Sequence, residues 1–260
     1  MLSNLLDKLP EPPKGPLQPS PGRSVDDLRE MATCEHHGPY LVRSGSVRHM
    51  VAHNPGGCPD CLRAVRAESL LAASNIPPRF AACEFDNFEA TTPPQRKVLT
   101  ACRAYADEFR GHLAAGRGLI MLGNPGTGKN HLATAICKAV QAQRFTVLRV
   151  KASEFLDAYW AKEFAERDAW VRDLAKVHLL VLDEMGRSSS TANAQNAFFR
   201  LIDARYEAMR PTVLLSNLDR QGVIEVLGDA AYDRLTEAGA QRLTFDWQSS
   251  RATSTRGAQP

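Results

Sequence analysis

No run of this 260-residue chain approaches the ~20 consecutive apolar residues that a bilayer-spanning helix needs, so no membrane role is expected. No signal peptide is expected either, because Pro10, Pro12 and Pro13 follow closely on a short leucine pattern and leave no apolar core for one. The expected location is therefore cytoplasmic, where the six cysteines are thiols or metal ligands rather than disulfides. No internal repeat is evident in the chain. Excess charge is also lacking: the net charge of +3 permits nucleic-acid binding without demanding it. What remains is ordinary for a soluble globular chain, with 43% hydrophobic and 23% charged residues. The length suits one substantial domain and a smaller appendage.

The chain is organised around residues 119–130. An apolar run ends in a glycine-rich turn, Gly123-Asn124-Pro125-Gly126-Thr127-Gly128, followed by Lys129-Asn130-His131 and an alanine-rich helical pattern to 143. That order is strand, phosphate loop, helix. Glycines let the backbone approach phosphates, the helix N-terminus adds partial positive charge, and the Lys129 ammonium reaches the β- and γ-phosphates. The stretch meets G-x-x-x-x-G-K-[ST] everywhere but at its last position, where Asn130 replaces the hydroxyl residue that normally faces Mg²⁺. An Asn carbonyl can face the ion directly or through water, and slow turnover is expected.

Upstream, Leu2, Leu5, Leu6 and Leu9 form one face of a helix too short to be stable alone, which must dock on its own chain or on a partner. A proline-rich tether spans 10–21. Ser24 and Asp27 predict a helix start leading through Leu28 and Met31. Cys34 and His37, then Cys58 and Cys61, are two pairs of knuckle spacing that together complete a tetrahedral zinc set. His36 competes with His37 for the first pair, and free thiols with surface histidines are the alternative reading. Cys83, Cys102 and Cys137 read as small buried hydrophobes. A helical pattern covers 63–73, and Pro77-Pro78 mark a domain boundary, with residues 1–75 as an N-terminal module and 76–260 as the main domain.

Residues 95–113 predict one helix. After the phosphate loop, strand and helix alternate: a strand at 145–150, a helix at 153–176 capped by Ser153, an apolar strand at 177–182, a helix at 191–209, a strand at 212–216 and a last one at 243–247. Alternation of this kind predicts an α/β fold, a parallel sheet flanked by helices. The second of these strands ends in Asp183-Glu184, placing two carboxylates at the C-terminal sheet edge beside the phosphate loop. Asp183 is the candidate for holding Mg²⁺ and Glu184 the candidate general base. Asn217 closes the next strand and either orients the attacking water or simply forms a turn. The 153–176 pattern carries Phe155, Tyr159, Trp160, Phe164 and Trp170 with interleaved cations. That suits either a core stripe or the stacking of single-stranded DNA.

Residues 123–133, 179–184 and 214–218, with Tyr232-Asp233-Arg234-Leu235 and Phe245-Asp246-Trp247, resemble the AAA+ replicative helicase loaders of the DnaC type. The related IstB transposition ATPases share much of the pattern. The likeness covers 75–255 and extends to Asn130 and His131, where the loaders also depart from the usual Lys-Ser/Thr. It implies an AAA+ P-loop domain that uses ATP and Mg²⁺, a DnaB-type replicative helicase and single-stranded DNA as partners, and an ATP-dependent homo-oligomer. It also implies a truncated C-terminal lid. Arg234 is similar in position to the arginine finger that reaches a neighbouring subunit's γ-phosphate, and Arg251 to the sensor arginine that touches nucleotide in its own subunit. By the residues alone both are surface arginines. The Cys/His pairs resemble the small zinc-binding N-terminal domain of some loaders, so that Cys34, His37, Cys58 and Cys61 would fold a helicase-gripping module. The competing expectations are an IstB-like ATPase assisting a transposase on duplex DNA, a clamp-loader or initiator ATPase, and a nucleotide-gated binding protein that does not hydrolyse.

Overall fold

The computed structural model describes residues 28–35, 38–46, 49–53, 58–59, 74–186 and 191–249, which fall into two compact units, one within Glu11–Ser69 and one within Leu70–Pro260. The leucine stripe, the proline-rich tether, the 63–73 pattern, His36, His37, Cys61 and Arg251 lie outside the described residues.

The smaller unit contains an antiparallel sheet of β1 (Leu28–Cys34), β2 (Gly38–Ser46) and β3 (His49–Ala52). Leu28 and Met31 therefore stand in a strand, which corrects the helix expected from the Ser24 and Asp27 start. The pairing partner decides the matter. β1 pairs along its whole length with β2, whose Tyr40-Leu41-Val42 run favours a pleated surface, and cross-strand pairing overrides a local helical preference. Gly38, with φ of +76°, sits directly opposite Cys34 at the turn end of this hairpin.

The larger unit is a five-stranded, all-parallel sheet in the order β5-β6-β7-β4-β8. Its strands are β4 (Leu119–Gly123), β5 (Val147–Lys151), β6 (Leu179–Met185), β7 (Thr212–Ser216) and β8 (Gln241–Phe245). The helices are α1 (Pro93–Asp107), α2 (Phe109–Ala114), α3 (Lys129–Ala142), α4 (Ala152–Trp160), α5 (Phe164–Lys176), α6 (Ala192–Glu207), α7 (Arg220–Leu227) and α8 (Asp229–Glu237). Side chains alternate across the sheet. Ile120, Leu122, Leu148, Leu180 and Leu214 pack against α4 to α8, while Leu119, Met121, Val147, Val181 and Val213 pack against α1 and α3. Cover on both faces explains why these strands read as unbroken apolar runs.

Two predicted helices are each two. The 95–113 helix begins earlier, at Pro93, with Thr92 and Gln95 exchanging capping-box hydrogen bonds, and breaks at Glu108. The break leaves Phe109 fully buried, edge-on to Phe145. The 153–176 helix is interrupted at 161–163, and its cap is Lys151 rather than Ser153. On a straight helix Phe155 and Trp170 would lie about 22 Å apart along the axis. Here their rings stack at 5.7 Å, and Phe198 also stacks with Phe155 at 5.5 Å. The strand ends also shift: β6 runs on through both acids to Met185, with an irregular register after Leu182, and β8 ends at Phe245.

Candidate active site

The phosphate-loop sequence leaves the C-terminal end of β4, which lies between β7 and β8, and enters α3. Its glycines answer to close packing. A Cβ on Gly123, whose φ is +133°, would lie 2.1 Å from the Phe245 carbonyl oxygen; one on Gly128, at φ +91°, would meet the Phe88 ring at 2.5 Å. Gly126 also has positive φ, at +79°. The loop is tied to β8, because Asn124 N–H donates to Phe245 O at 2.9 Å and Trp247 Nε1 donates to Thr127 O at 3.1 Å. Thr127 Oγ1 donates to Asn124 O at 2.7 Å. Lys129 Nζ donates to both Gly123 O and Asn124 O at 2.7 Å, which holds the ammonium against the loop.

A cavity of about 500 Å³ opens beside this loop. Pro125, Gly126, Gly128, Lys129, Asn130 and His131 line it from the loop and the start of α3; Asp183, Glu184 and Asn217 line it from the ends of β6 and β7. Gly123, Asn124 and Thr127 belong to the loop and do not themselves line the cavity. His131 Nε2 is the donor to Glu84 O at 2.7 Å, so this ring also fastens the segment before α1 to the loop. Ser216 Oγ donates to Met185 O at 2.6 Å and accepts from Leu218 N–H, setting the strand ends around Asn217.

The two acids are held differently. Asp183 is 5% exposed; its Oδ1 accepts from Glu184 N–H at 2.7 Å and its Oδ2 from Arg149 Nη2. Glu184 adopts φ of +56°, the left-handed region that costs a non-glycine residue about 1–2 kcal/mol. Its carboxylate lies 3.7 Å from Lys151 Nζ. Strand β5 thus faces both acids of β6 with cations, at positions 149 and 151. Backbone strain of this kind gathers at functional positions.

Sequence reasoning missed Arg149 and the segment from Pro78 to Cys83. Arg79, Phe80 and Cys83 line the cavity, and Phe80 lies under the Arg149 guanidinium. A signal for Arg149 existed, since an arginine between Leu148 and Val150 in a strand of a doubly covered sheet must be paired. Cys83 is half-buried, unlike Cys102 and Cys137, whose thiols burial pushes up to about 12. Arg234 does not line this cavity. It sits on α8, donating to Asp203 Oδ1 at 2.8 Å and Glu237 Oε2 at 3.1 Å, with Tyr206 beneath its guanidinium at 4.9 Å.

The aromatic stripe of 153–176 divides. Phe155, Tyr159 and Trp170 are core, whereas Trp160 (44% exposed) and Phe164 (78% exposed) face outward. The Arg167 guanidinium lies 4.9 Å from the first of these rings and 5.9 Å from the second. In the smaller unit Cys34 and Cys58 are described, and no cluster of three or more metal-capable side chains occurs among the described residues. Nor is any described helix long and apolar enough to cross a membrane.

A parallel sheet in this order, with the glycine-rich loop on β4 and paired acids two strands away, defines an AAA+ ATP-binding domain. Residues 61–253 match the family model described as IstB-like ATP binding protein, and the chain belongs to that family of ATPases. Among its relatives is the replicative helicase loader DnaC of Buchnera aphidicola from Acyrthosiphon pisum. It is 32% identical over 193 residues, 73% of this chain and 77% of the relative. The crystal structure of the DnaC helicase loader superposes with a TM-score of 0.58 at 20% identity, covering 65% of this chain and 100% of the other. A replication initiator DnaA bound to AMPPCP and single-stranded DNA superposes at 0.56, with 19% identity over 67% of this chain and 52% of the initiator. At these identities the two structures establish the fold alone.

Proposed function

We propose that this protein is an ATP-dependent loader that places a replicative, DnaB-type helicase on single-stranded DNA, working as an ATP-dependent homo-oligomer. The observation that carries the reading is the 193-residue match, at 32% identity, to a protein named replicative helicase loader DnaC. Residues 1–75 grip the helicase in this scheme, and 76–260 form the ATPase.

In the nucleotide site, the backbone from Gly123 to Gly128 wraps the phosphates, and Lys129 turns its ammonium from the loop carbonyls to the β- and γ-phosphates. Asn130 and Asp183 would hold Mg²⁺; both line the cavity, as Lys129 does, and an amide oxygen with a carboxylate is the hard donor set this ion prefers. The ion, when bound, offsets the charge on the transferring phosphoryl group. Glu184 polarises the attacking water and Asn217 orients it. His131 steadies the loop through Glu84. Arg234 acts on nucleotide held by a neighbouring subunit, which fits its absence from the cavity of its own chain, and Arg251 acts within its own.

For the DNA, the exposed Trp160 and Phe164 rings with Arg167 close to both supply stacking faces and a cation, the combination that holds single strands without reading sequence. For the N-terminal module, Cys34, His37 (or His36), Cys58 and Cys61 hold a structural zinc. Cys34 stands opposite Gly38 at the end of the β1–β2 pairing, and a tight turn beside a ligand is the usual seat of a knuckle. Elemental analysis should find one zinc per chain, lost in Cys34→Ser; a zinc-free wild type would remove this part of the reading.

The test of the whole is capture of a DnaB-type helicase in ATP and in ADP, by the full chain and by a chain lacking 1–75. Capture in ATP that disappears with the truncation supports the loader. No capture in either nucleotide, with binding to duplex DNA instead, favours the second reading, a transposase-assisting ATPase, to which the IstB-like family model points.

A further inference from the structure

Arg149 carries none of the roles just given, yet its guanidinium is 3% exposed and bonds the carboxylate of Asp183, which lines the nucleotide cavity. A charge so deeply buried is tolerated only if its donors are met. Nη1 donates to Thr134 Oγ1 at 2.9 Å, and that hydroxyl in turn donates to Asn130 O at 2.8 Å, in the first turn of α3. Nη2 donates to Asp183 Oδ2. The guanidinium carbon lies 5.1 Å from the centroid of the Phe80 ring, which lines the cavity. The main chain is fastened as well: Arg149 N–H donates to Ser74 O at 2.8 Å, and Asn75 Nδ2 donates to Arg149 O at 3.0 Å. One residue thereby joins the helix that opens with Lys129 and Asn130, the strand that carries both acids, and the segment leading into the domain.

The consequence falls on Asp183. One of its oxygens is held by Arg149 and the other by the Glu184 N–H at 2.7 Å, so the carboxylate is gripped at both ends. Each oxygen retains a further lone-pair direction for an ion or its coordinated water. A fork that bonds two partners in fixed planar geometry does this better than a point charge does.

We propose that Arg149 is a positioning residue, orienting the Asp183 carboxylate against α3 so that nucleotide with Mg²⁺ binds more tightly than nucleotide alone. The proposal rests on the reading of Asp183 as the acid that faces the metal. Without the guanidinium, Asp183 loses the partner that fixes its plane and its distance from Asn130. Loss of such an outer partner lowers metal affinity about 10–100-fold.

The test is titration of the full chain with a fluorescent ATP analogue, once with Mg²⁺ and once with EDTA, for wild type, Arg149→Met, Asp183→Asn and the double variant. With Mn²⁺ in place of Mg²⁺, the paramagnetic resonance spectrum reports the ion's surroundings directly, a readout that a purely structural role would leave alone. The expected result is that both single variants lose about 10–100-fold of the metal-dependent gain and broaden the Mn²⁺ spectrum. The double variant should lose no more than Asp183→Asn does. A full metal-dependent gain in Arg149→Met, with the gain lost in Asp183→Asn, overturns the positioning role while leaving the metal reading intact. A full gain in Asp183→Asn removes the metal reading, and the proposal with it. If Arg149→Met fails to bind metal-free nucleotide, Arg149→Lys, which keeps the charge but not the fork, is held to the same criterion.

Discussion

Replacing Arg205 by methionine should destabilise the larger unit without touching nucleotide binding. Arg205 sits on α6 at 0% exposure, and its guanidinium reaches across to the end of α5 and the start of β7. Nη1 donates to Leu174 O at 2.8 Å and Val177 O at 3.0 Å, Nη2 to Pro211 O at 2.6 Å, and Nε to Thr212 Oγ1 at 3.0 Å. It therefore acts as the C-terminal cap of α5, satisfying carbonyls that a helix end leaves over. Methionine keeps much of the stem and withdraws every donor. Pro211 O retains the Leu180 N–H at 3.3 Å, which leaves the Leu174 and Val177 carbonyls as the main losses. At about 1–3 kcal/mol for each stripped buried acceptor, the gross cost is about 2–6 kcal/mol. Part is recovered because a buried charge disappears; burial already presses the Arg205 pKa down to about 9. The net expectation is a loss of about 2–4 kcal/mol, read as a lower urea midpoint at unchanged slope and a melting temperature down by roughly 4–16 °C. ATP affinity should hold, since Arg205 does not line the cavity. A loss below about 1 kcal/mol at unchanged slope would refute the reasoning, because it would mean the carbonyls are satisfied without the guanidinium.

Lys129→Ala should abolish ATP binding, while Glu184→Gln should bind ATP and lose turnover about 10²–10⁴-fold; equal turnover in Glu184→Gln and wild type would remove Glu184 as general base. Trp160→Ala with Phe164→Ala should weaken single-stranded DNA binding by about 1–3 kcal/mol per lost stack and leave the thermal midpoint unchanged, as fluorescence anisotropy and a melting curve can show. His178 supplies a pH prediction. Its ring accepts from Thr146 N–H at 3.1 Å, and burial lowers its pKa from 6.5 to about 4, so the unfolded chain takes up the proton first. The stability this neutral ring contributes is present above pH 6.5 and is lost as pH falls from about 6.5 toward 4. After discounting for a half-exposed ring, the loss is about 1–2 kcal/mol, and it should be missing from the pH profile of His178→Gln.

Much of the catalytic half was legible because its signals are local. A strand that must be apolar on both faces, a loop that must be glycine at close approaches, and a helix that must follow at once are adjacent in the chain. They leave their imprint within twelve residues, 119–130. The acids at 183 and 184 and the strand at 212–216 were readable for the same reason. Two long helical patterns were read as unbroken, because periodicity records which face is apolar and is silent on where a chain folds back. The break at 161–163 exists so that Phe155 and Trp170 can share one stack.

By itself, then, the sequence determined the α/β alternation, the phosphate loop, the acidic pair and the family to which they belong. Tertiary structure alone decided the rest. Leu28–Cys34 became a strand only because β2 lies beside it. Glu184 took a left-handed backbone only because β6 shifts register past Leu182. Arg149 became part of the site only because parallel pairing of β5 with β6 brings it to Asp183, 34 positions away in sequence. Propensity and periodicity act over a few residues, whereas a buried charge finds its partner through the sheet, and no local pattern carries that distance.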